Sequence, residues 1–251
     1  MGVNNPPSPS TGKGWGVSML NVKQFRYGAD NLGYLVYGKE SGMAVDGGAA
    51  EEILAFLTER RLSLLYVANT HGHWDHTSGN AALLNAARAR LLTGADLPDG
   101  GGIALEGEII RVIHTPGHTE DSRSFHTGEA LIAGDTLFNG TIGNCFSGDL
   151  EGFYRSIRKL MALPAETVVY AGHDYVMDSM AFARRLEPEN AEIDAYFTRY
   201  DPNHVFSTLT DERRINPYLR FNEPGIAALL EKMGLPRETE WERWRSLMSI
   251  E

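Results

Sequence analysis

The stretch Thr70-His71-Gly72-His73-Trp74-Asp75-His76 places four metal-competent side chains within six residues, in the pattern His-x-His-x-Asp-His. A neutral imidazole offers a nitrogen lone pair near neutral pH. A carboxylate set among imidazoles suits zinc, iron or manganese rather than calcium. Three other segments repeat the local setting of this cluster, an apolar strand-like run followed by a candidate ligand. Leu64-Leu65-Tyr66-Val67-Ala68 leads into the His71 cluster, and Ile109-Ile110-Arg111-Val112-Ile113 leads through Thr115-Pro116-Gly117 to His118. Ala130-Leu131-Ile132-Ala133-Gly134 leads to Asp135, and Thr167-Val168-Val169-Tyr170-Ala171-Gly172 leads to His173. Short β-rich apolar runs bounded by Gly or Pro read as buried strands. If those strands share an orientation, all four ligand segments emerge at one edge. Gly117, Gly134 and Gly172 each stand beside a candidate ligand, where a missing Cβ permits close approach. His71, His73, Asp75, His76, His118, Asp135 and His173 then form a seven-ligand set that suits two divalent metals, with Asp135 bridging.

These residues resemble the metallo-β-lactamase superfamily, and within it the glyoxalase II group of hydroxyacylglutathione hydrolases. The motifs are Thr70-His71-x-His73-x-Asp75-His76, Thr115-Pro116-Gly117-His118-Thr119, Gly134-Asp135-Thr136-Leu137-Phe138 and Gly172-His173-Asp174-Tyr175. Glu187-Pro188-Glu189-Asn190 and Asn216-Pro217-Tyr218-Leu219-Arg220 resemble the group's helical C-terminal part. The resemblance covers roughly Met19 to the end. It implies an α/β fold, the αββα four-layer sandwich of the metallo-β-lactamases with a C-terminal helical domain. It also implies that His71, His73 and His118 hold a first metal, that Asp75, His76 and His173 hold a second, and that Asp135 bridges them. Asp46, in Val45-Asp46-Gly47-Gly48, matches a family Asp that supports the ligand loop from behind.

The implied chemistry is dinuclear metal-dependent hydrolysis of a thioester, with zinc as the first choice of metal and iron or manganese also fitting. Metal binding lowers the pKa of water to about 7, and Asp75 holds or deprotonates the attacking water. A thiolate leaves readily, so the thioester needs little general-acid help. The substrate is a small-molecule thioester, for which hydroxyacylglutathione is the reference. Tyr175, Asn144, Phe146 and Arg245 are the expected substrate contacts. Here the chain departs from the family pattern. The family's Gly-Cys-Gly-Arg/Lys-aromatic-aromatic-Glu-Gly run is replaced by Ile142-Gly143-Asn144-Cys145-Phe146-Ser147-Gly148. Asn144 stands at the basic residue that meets the glutathione carboxylate, and Phe146 stands at a Tyr. Arg245 with Met248 stands at an Arg-x-x-Lys pair, while Tyr175 is unchanged. Charge-assisted bonds contribute about 1.5–3 kcal/mol each, so the lost cations weaken glutathione recognition. Two other readings are open, a lactone or ester hydrolase and a mononuclear iron persulfide dioxygenase on the same fold. No G-x-S-x-G signature supports a serine hydrolase, and Cys145 reads as a small packed residue.

A net charge of -10 argues against a nucleic-acid partner, which would call for a basic face. No apolar run approaches the ~18 residues of a membrane span. The lone Cys145 fits a reducing compartment, read as the cytoplasm. Oligomeric state is left open. Residues 1–18, rich in Pro, Ser and Asn, read as a flexible tail. Residues 19–176 read as the metal-binding domain, and 177–251, where helical spacing replaces β-rich runs, as a helical substrate-binding domain. Tyr34–Tyr37 and Met43–Val45 predict a hairpin. Ile53, Leu54 and Leu57 predict a helix, as does the run from Ser78 to Ala89. Phe153, Ile157, Leu160 and Met161 predict another, stopped at Pro164. His114, His126 and His204 read as bystanders.

Overall fold

The computed structural model of the chain describes residues 19–250, so the tail expected over 1–18 lies outside the described residues. Strands β1 (Asn21–Tyr27), β2 (Asn31–Tyr37) and β3 (Ser41–Val45) are followed by α1 (Ala50–Arg60), β4 (Ser63–Ala68), α2 (Trp74–Thr77), α3 (Asn80–Ala86) and β5 (Arg90–Leu91). A second group runs β6 (Gly102–Leu105), β7 (Glu108–His114), β8 (Arg123–Thr127) and β9 (Ala130–Gly134), then α4 (Leu150–Met161) and β10 (Val168–Ala171). The chain continues through α5 (Val176–Leu186), α6 (Ala191–Thr198), β11 (Ser207–Thr208), α7 (Leu209–Ile215), α8 (Pro224–Lys232) and α9 (Glu240–Leu247).

The strands form two sheets, ordered β1-β2-β3-β4-β5 and β11-β10-β9-β8-β7-β6. Successive strand residues face opposite ways, and their burial shows where each face goes. Tyr34, Val36, Met43 and Val45 pack with Val112, Phe125 and Ile132 in a core between the sheets. Their neighbours Leu35 and Ala44 pack outward with Ile53, Leu57 and Leu83 of α1 and α3. On the far side, Leu131, Ala133 and Val169 pack against Phe153, Ile157 and Leu160 of α4. Three cores separate four layers, the αββα sandwich. Ile226, Leu230, Trp244 and Leu247 share the core of α4, so α8 and α9 extend that outer layer.

This topology gathers the ligand segments. β7, β8 and β9 pair antiparallel in sequence, while β9 and β10 are parallel, so β7, β9 and β10 run the same way. In the other sheet β4 runs parallel to β3. The candidate ligands follow the C-terminal ends of β4, β7, β9 and β10, where open α/β sheets generally bind ligands. There the sheets are tied together, because Leu32 N–H donates to the Gly172 carbonyl at 2.8 Å and Asn31 bridges to His173.

The structure departs from the sequence reading in three places. The helix beginning at Asn80 stops at Ala86, short of Ala89, because Arg90 and Leu91 pair with Tyr66 and Val67 as an edge strand. β1 adds a strand before the expected hairpin, and its outward polar residues conceal it from apolar patterning. β11 puts a short strand into a stretch read as helical, pairing with Val168 and Val169. Just beyond it, buried Glu212 accepts from the Gly140 N–H at 3.0 Å and the Asn216 amide at 2.7 Å, anchoring the loop after β9 to α7. Burial pushes its carboxyl up to about 7.

Candidate metal centre

The side chains carried past the ends of β4, β7, β9 and β10 meet. Three groups have ligand atoms all within 4.8 Å of one another: His71, His73 and His118; His71, His76 and Asp135; and Asp75, His76 and His173. Nitrogen faces nitrogen throughout. His71 Nε2 is 2.9 Å from His73 Nδ1, which is 3.2 Å from His118 Nε2. His76 Nε2 is 3.2 Å from His173 Nε2. Two neutral imidazoles cannot turn lone pairs on each other at that distance without a proton or a cation between them.

Asp135 lies among these rings. Its Oδ2 is 3.5 Å from His118 Nε2 and 3.4 Å from His173 Nε2, and its Oδ1 is 3.4 Å from His76 Nε2. That last separation is within ion-pair range, yet Oδ1 is buried without a hydrogen-bond partner. A buried carboxylate oxygen left unpaired is costly. An orphaned oxygen surrounded by converging imidazoles fits metal ions, and the donor set fits a borderline cation such as zinc or iron.

The outward-facing nitrogens are fixed as well, as expected of ligating histidines. His76 Nδ1 meets Asp46 Oδ2 at 3.0 Å, His118 Nδ1 meets the Asn144 carbonyl at 3.0 Å, and His173 Nδ1 meets Asp30 Oδ1 at 2.9 Å. Asp46 also accepts from Thr70 N–H at 2.8 Å and Thr70 Oγ1 at 2.6 Å, pinning the start of the ligand loop. Asp30 was not among the sequence candidates, nor was Asn31, whose Nδ2 donates to Asp75 Oδ2 at 2.9 Å. Both sit in the turn between β1 and β2, where Asp and Asn are ordinary turn residues and give no signal of their own. His114, His126 and His204 belong to no metal-competent group among the described residues. The His114 ring instead donates from Nε2 to the Leu97 carbonyl at 2.8 Å.

The charges are arranged to match. Burial works against ionisation of Asp135, but the contacts with His173 and His76 outweigh it and hold the carboxyl far below its ordinary range. Burial pulls His76 down, yet Asp46 and Asp135 outweigh it and hold the imidazolium up at about 11. Burial, reinforced by the His76 charge, holds His71 down at about 4. Burial also lowers His118. Near neutrality, then, His71 and His118 present lone pairs, while His76 carries a proton that a metal bound there would have to displace. Loading the metal-free protein with zinc at pH 7.5 is expected to release at least one proton per chain. Calorimetric titration in buffers of different ionisation enthalpy measures this. The same heat in every buffer would mean that His76 either holds no proton or takes no part.

Beside the centre lies a cavity of about 480 Å³ lined in part by Asn144 and Tyr175. The Tyr175 ring stacks on His173 at 5.1 Å, with 4° between the planes. Phe146, 67% exposed, stands edge-on to His118 at 5.1 Å and to His73 at 6.0 Å, outside the cavity lining. Arg245 is also outside it, with its guanidinium 5.9 Å from the Trp241 ring. Of the four expected substrate contacts, Asn144 and Tyr175 therefore line the cavity, while Phe146 flanks the ligands and Arg245 lies apart.

Comparison with known proteins agrees with this architecture. The family model described as "Metallo-beta-lactamase superfamily" matches residues 32–97 and 89–173, and "Hydroxyacylglutathione hydrolase C-terminus" matches residues 174–247. A hydroxyacylglutathione hydrolase of Pseudoalteromonas translucida is 34% identical over 250 residues, covering 92% of this chain and 97% of the relative. Another, from Chromohalobacter salexigens, is 35% identical over 212 residues, covering 76% of this chain and 82% of the relative. Among solved structures, ETHE1 from Myxococcus xanthus superposes with a TM-score of 0.66 at 22% identity, covering 92% of each chain.

Proposed function

The chain belongs to the hydroxyacylglutathione hydrolase family of the metallo-β-lactamase superfamily, and on that premise we propose that it hydrolyses hydroxyacyl thioesters at a two-metal centre. The observation that carries this reading is Asp135, whose carboxylate lies within 4.0 Å of His71 and His118 of one set and of His76 and His173 of the other. In this assignment His71, His73 and His118 would hold one metal, Asp75, His76 and His173 would hold the other, and Asp135 would serve both. Zinc is the first choice, with iron or manganese suited to the same donors. Metal ions bound there supply Lewis acidity toward the carbonyl and lower the pKa of water.

The protein's own groups do the rest. Asp75 opposes the His76–His173 pair, with Oδ2 at 3.6 Å and 3.4 Å from their Nε2 atoms. Burial raises its carboxyl, but His76 and the Asn31 hydrogen bond outweigh this and keep it below the usual range. Asp75 is therefore an ionised acceptor at neutral pH, suited to hold the attacking water and take its proton. Tyr175 and Asn144 carry the walls of the ligand site into the cavity and position the thiol portion of the substrate. The thiolate leaves without a dedicated acid. Among the described residues no helix is long and apolar enough to cross a membrane. The single thiol, Cys145, fits a reducing compartment, and we place the enzyme in the cytoplasm.

Elemental analysis together with a hydrolysis panel tests this reading. About two metals per chain and turnover of lactoylglutathione are expected. A ceiling of one metal after reconstitution with zinc, iron or manganese would remove the dinuclear assignment. Turnover of acyl-homoserine lactones alone, or oxygen uptake with glutathione persulfide, would replace the thioesterase reading.

A further inference from the structure

The cavity beside the centre has a charge that thioester hydrolysis does not require. Its walls include Asn144, Tyr175, Asp178, Phe182, Tyr218 and Met248. Among the described residues no lysine or arginine lines it, and Asp178 is its one carboxylate. The cavity adjoins the ligands, since the Asn144 carbonyl meets His118 Nδ1 at 3.0 Å and Tyr175 stacks on His173. A thiol whose acyl carbon sits at the centre therefore has these walls within reach. The exposed side chain of Asp178 makes no hydrogen bond or ion pair among the described residues. It lies in the first turn of α5, where the helix dipole favours a carboxylate, and that accounts for its tolerance there. The dipole does not require it to face a substrate cavity, which it does. Phe182 and Tyr218, stacked at 6.0 Å with 6° between their planes, form an aromatic wall suited to an apolar or cationic group. Arg185, further along α5, sits 5.2 Å from the Phe182 ring, outside the lining.

We propose that Asp178 sets the charge preference of this cavity, so that it favours a thiol ending in a neutral or cationic group over one ending in a carboxylate and binds a glutathione thioester more weakly than a neutral one. This rests on the thioesterase reading and narrows its substrate class. A carboxylate brought to the cavity meets a like charge and no lining cation, whereas an ammonium gains an unpaired carboxylate and an aromatic wall. In a partly solvated site one such charge amounts to about a fivefold effect on binding. The contact is remote from the scissile bond, so the effect falls on KM more than on kcat.

The test uses the metal-loaded enzyme and lactoyl thioesters of three short thiols: thiocholine, N-acetylcysteamine and 3-mercaptopropionate. KM is expected to rise in that order, with the anionic substrate weakest by about fivefold or more relative to the neutral one. Asp178→Asn should close most of that gap, and Asp178→Lys should reverse the order. Binding of the free thiols, measured by calorimetry, reads the same preference independently of turnover. Absence of turnover with all three thioesters would therefore count against the hydrolase reading, while the binding order still decides this one. Preference for 3-mercaptopropionate, or a preference unchanged in Asp178→Asn, would overturn the proposal. If Arg185→Ala then abolished an anionic preference, Arg185 would be identified as the carboxylate anchor instead.

Discussion

Asp135→Ala is expected to give a folded protein that reaches wild-type occupancy at neither metal position and has lost at least ~10³-fold in kcat/KM, roughly 4 kcal/mol of transition-state stabilisation. Among the described residues Asp135 is the only carboxylate close to both sets of histidines, with Oδ2 facing His118 and His173 and Oδ1 facing His76. Removing a ligand of one metal alone would leave the other site filled. Removing a shared one leaves two incomplete sites and also withdraws the negative charge that offsets two cations. The fold should persist, because Ala133 and Leu137 on either side of this segment remain packed in the core beneath α4. His114→Ala is the control. Its ring donates to the Leu97 carbonyl and lies in no metal-competent group among the described residues. Metal content near wild type is expected for that variant. Elemental analysis after purification without chelator, paired with thioester hydrolysis, compares the two. Equal behaviour would show that ligands and bystanders have been divided wrongly.

The ligand segments were legible because each is local: an apolar run, a turn and a donor, which the chain repeats at His71, His118, Asp135 and His173. The sandwich followed from the same runs once their resemblance to a known family was seen. What lay beyond reach was the set of contacts made between distant segments. Asp30 and Asn31 support His173 and Asp75 across 143 and 44 positions of sequence, and nothing in a turn's composition announces such a partner. Asp178 was invisible for a related reason, since an acid in a first helical turn already has a local explanation. Arg245 shows the converse. Motif alignment offered it as a substrate contact, but its side chain stacks on Trp241 away from the cavity lining, because an exposed helical Arg goes where an aromatic neighbour covers its stem. Edge strands β1, β5 and β11 escaped notice because pairing partners, rather than apolar alternation, hold them.

Gly172→Ala should disable the centre through a single methyl group. Glycine beside a ligand suggests close approach, and the structure identifies what is approached. A Cβ at position 172 would lie 2.0 Å from Asp135 Oδ1 and 2.9 Å from His76 Cε1, inside contact distance for both. The backbone is no obstacle, because Gly172 is not among the residues with positive φ. The clash must therefore be relieved by side chains or by a shift of the strand end. Asp135 is short and buried, and it can escape only by turning its carboxylate away from His76. A displacement near 1 Å at a reacting centre can cost ~10²-fold in rate, and a loss of that size or greater is expected here, with reduced occupancy at the His76–His173 side. Overpacking of this kind costs about 1–3 kcal/mol, so Tm should fall by only a few degrees in a chain of this length. Gly225→Ala serves as the comparison, since a Cβ there meets nothing within 4 Å. Measuring metal content, kcat/KM and Tm of both variants separates the effects. Full occupancy and activity in Gly172→Ala would mean that Asp135 does not stand where it is drawn, and the bridging role would go with it.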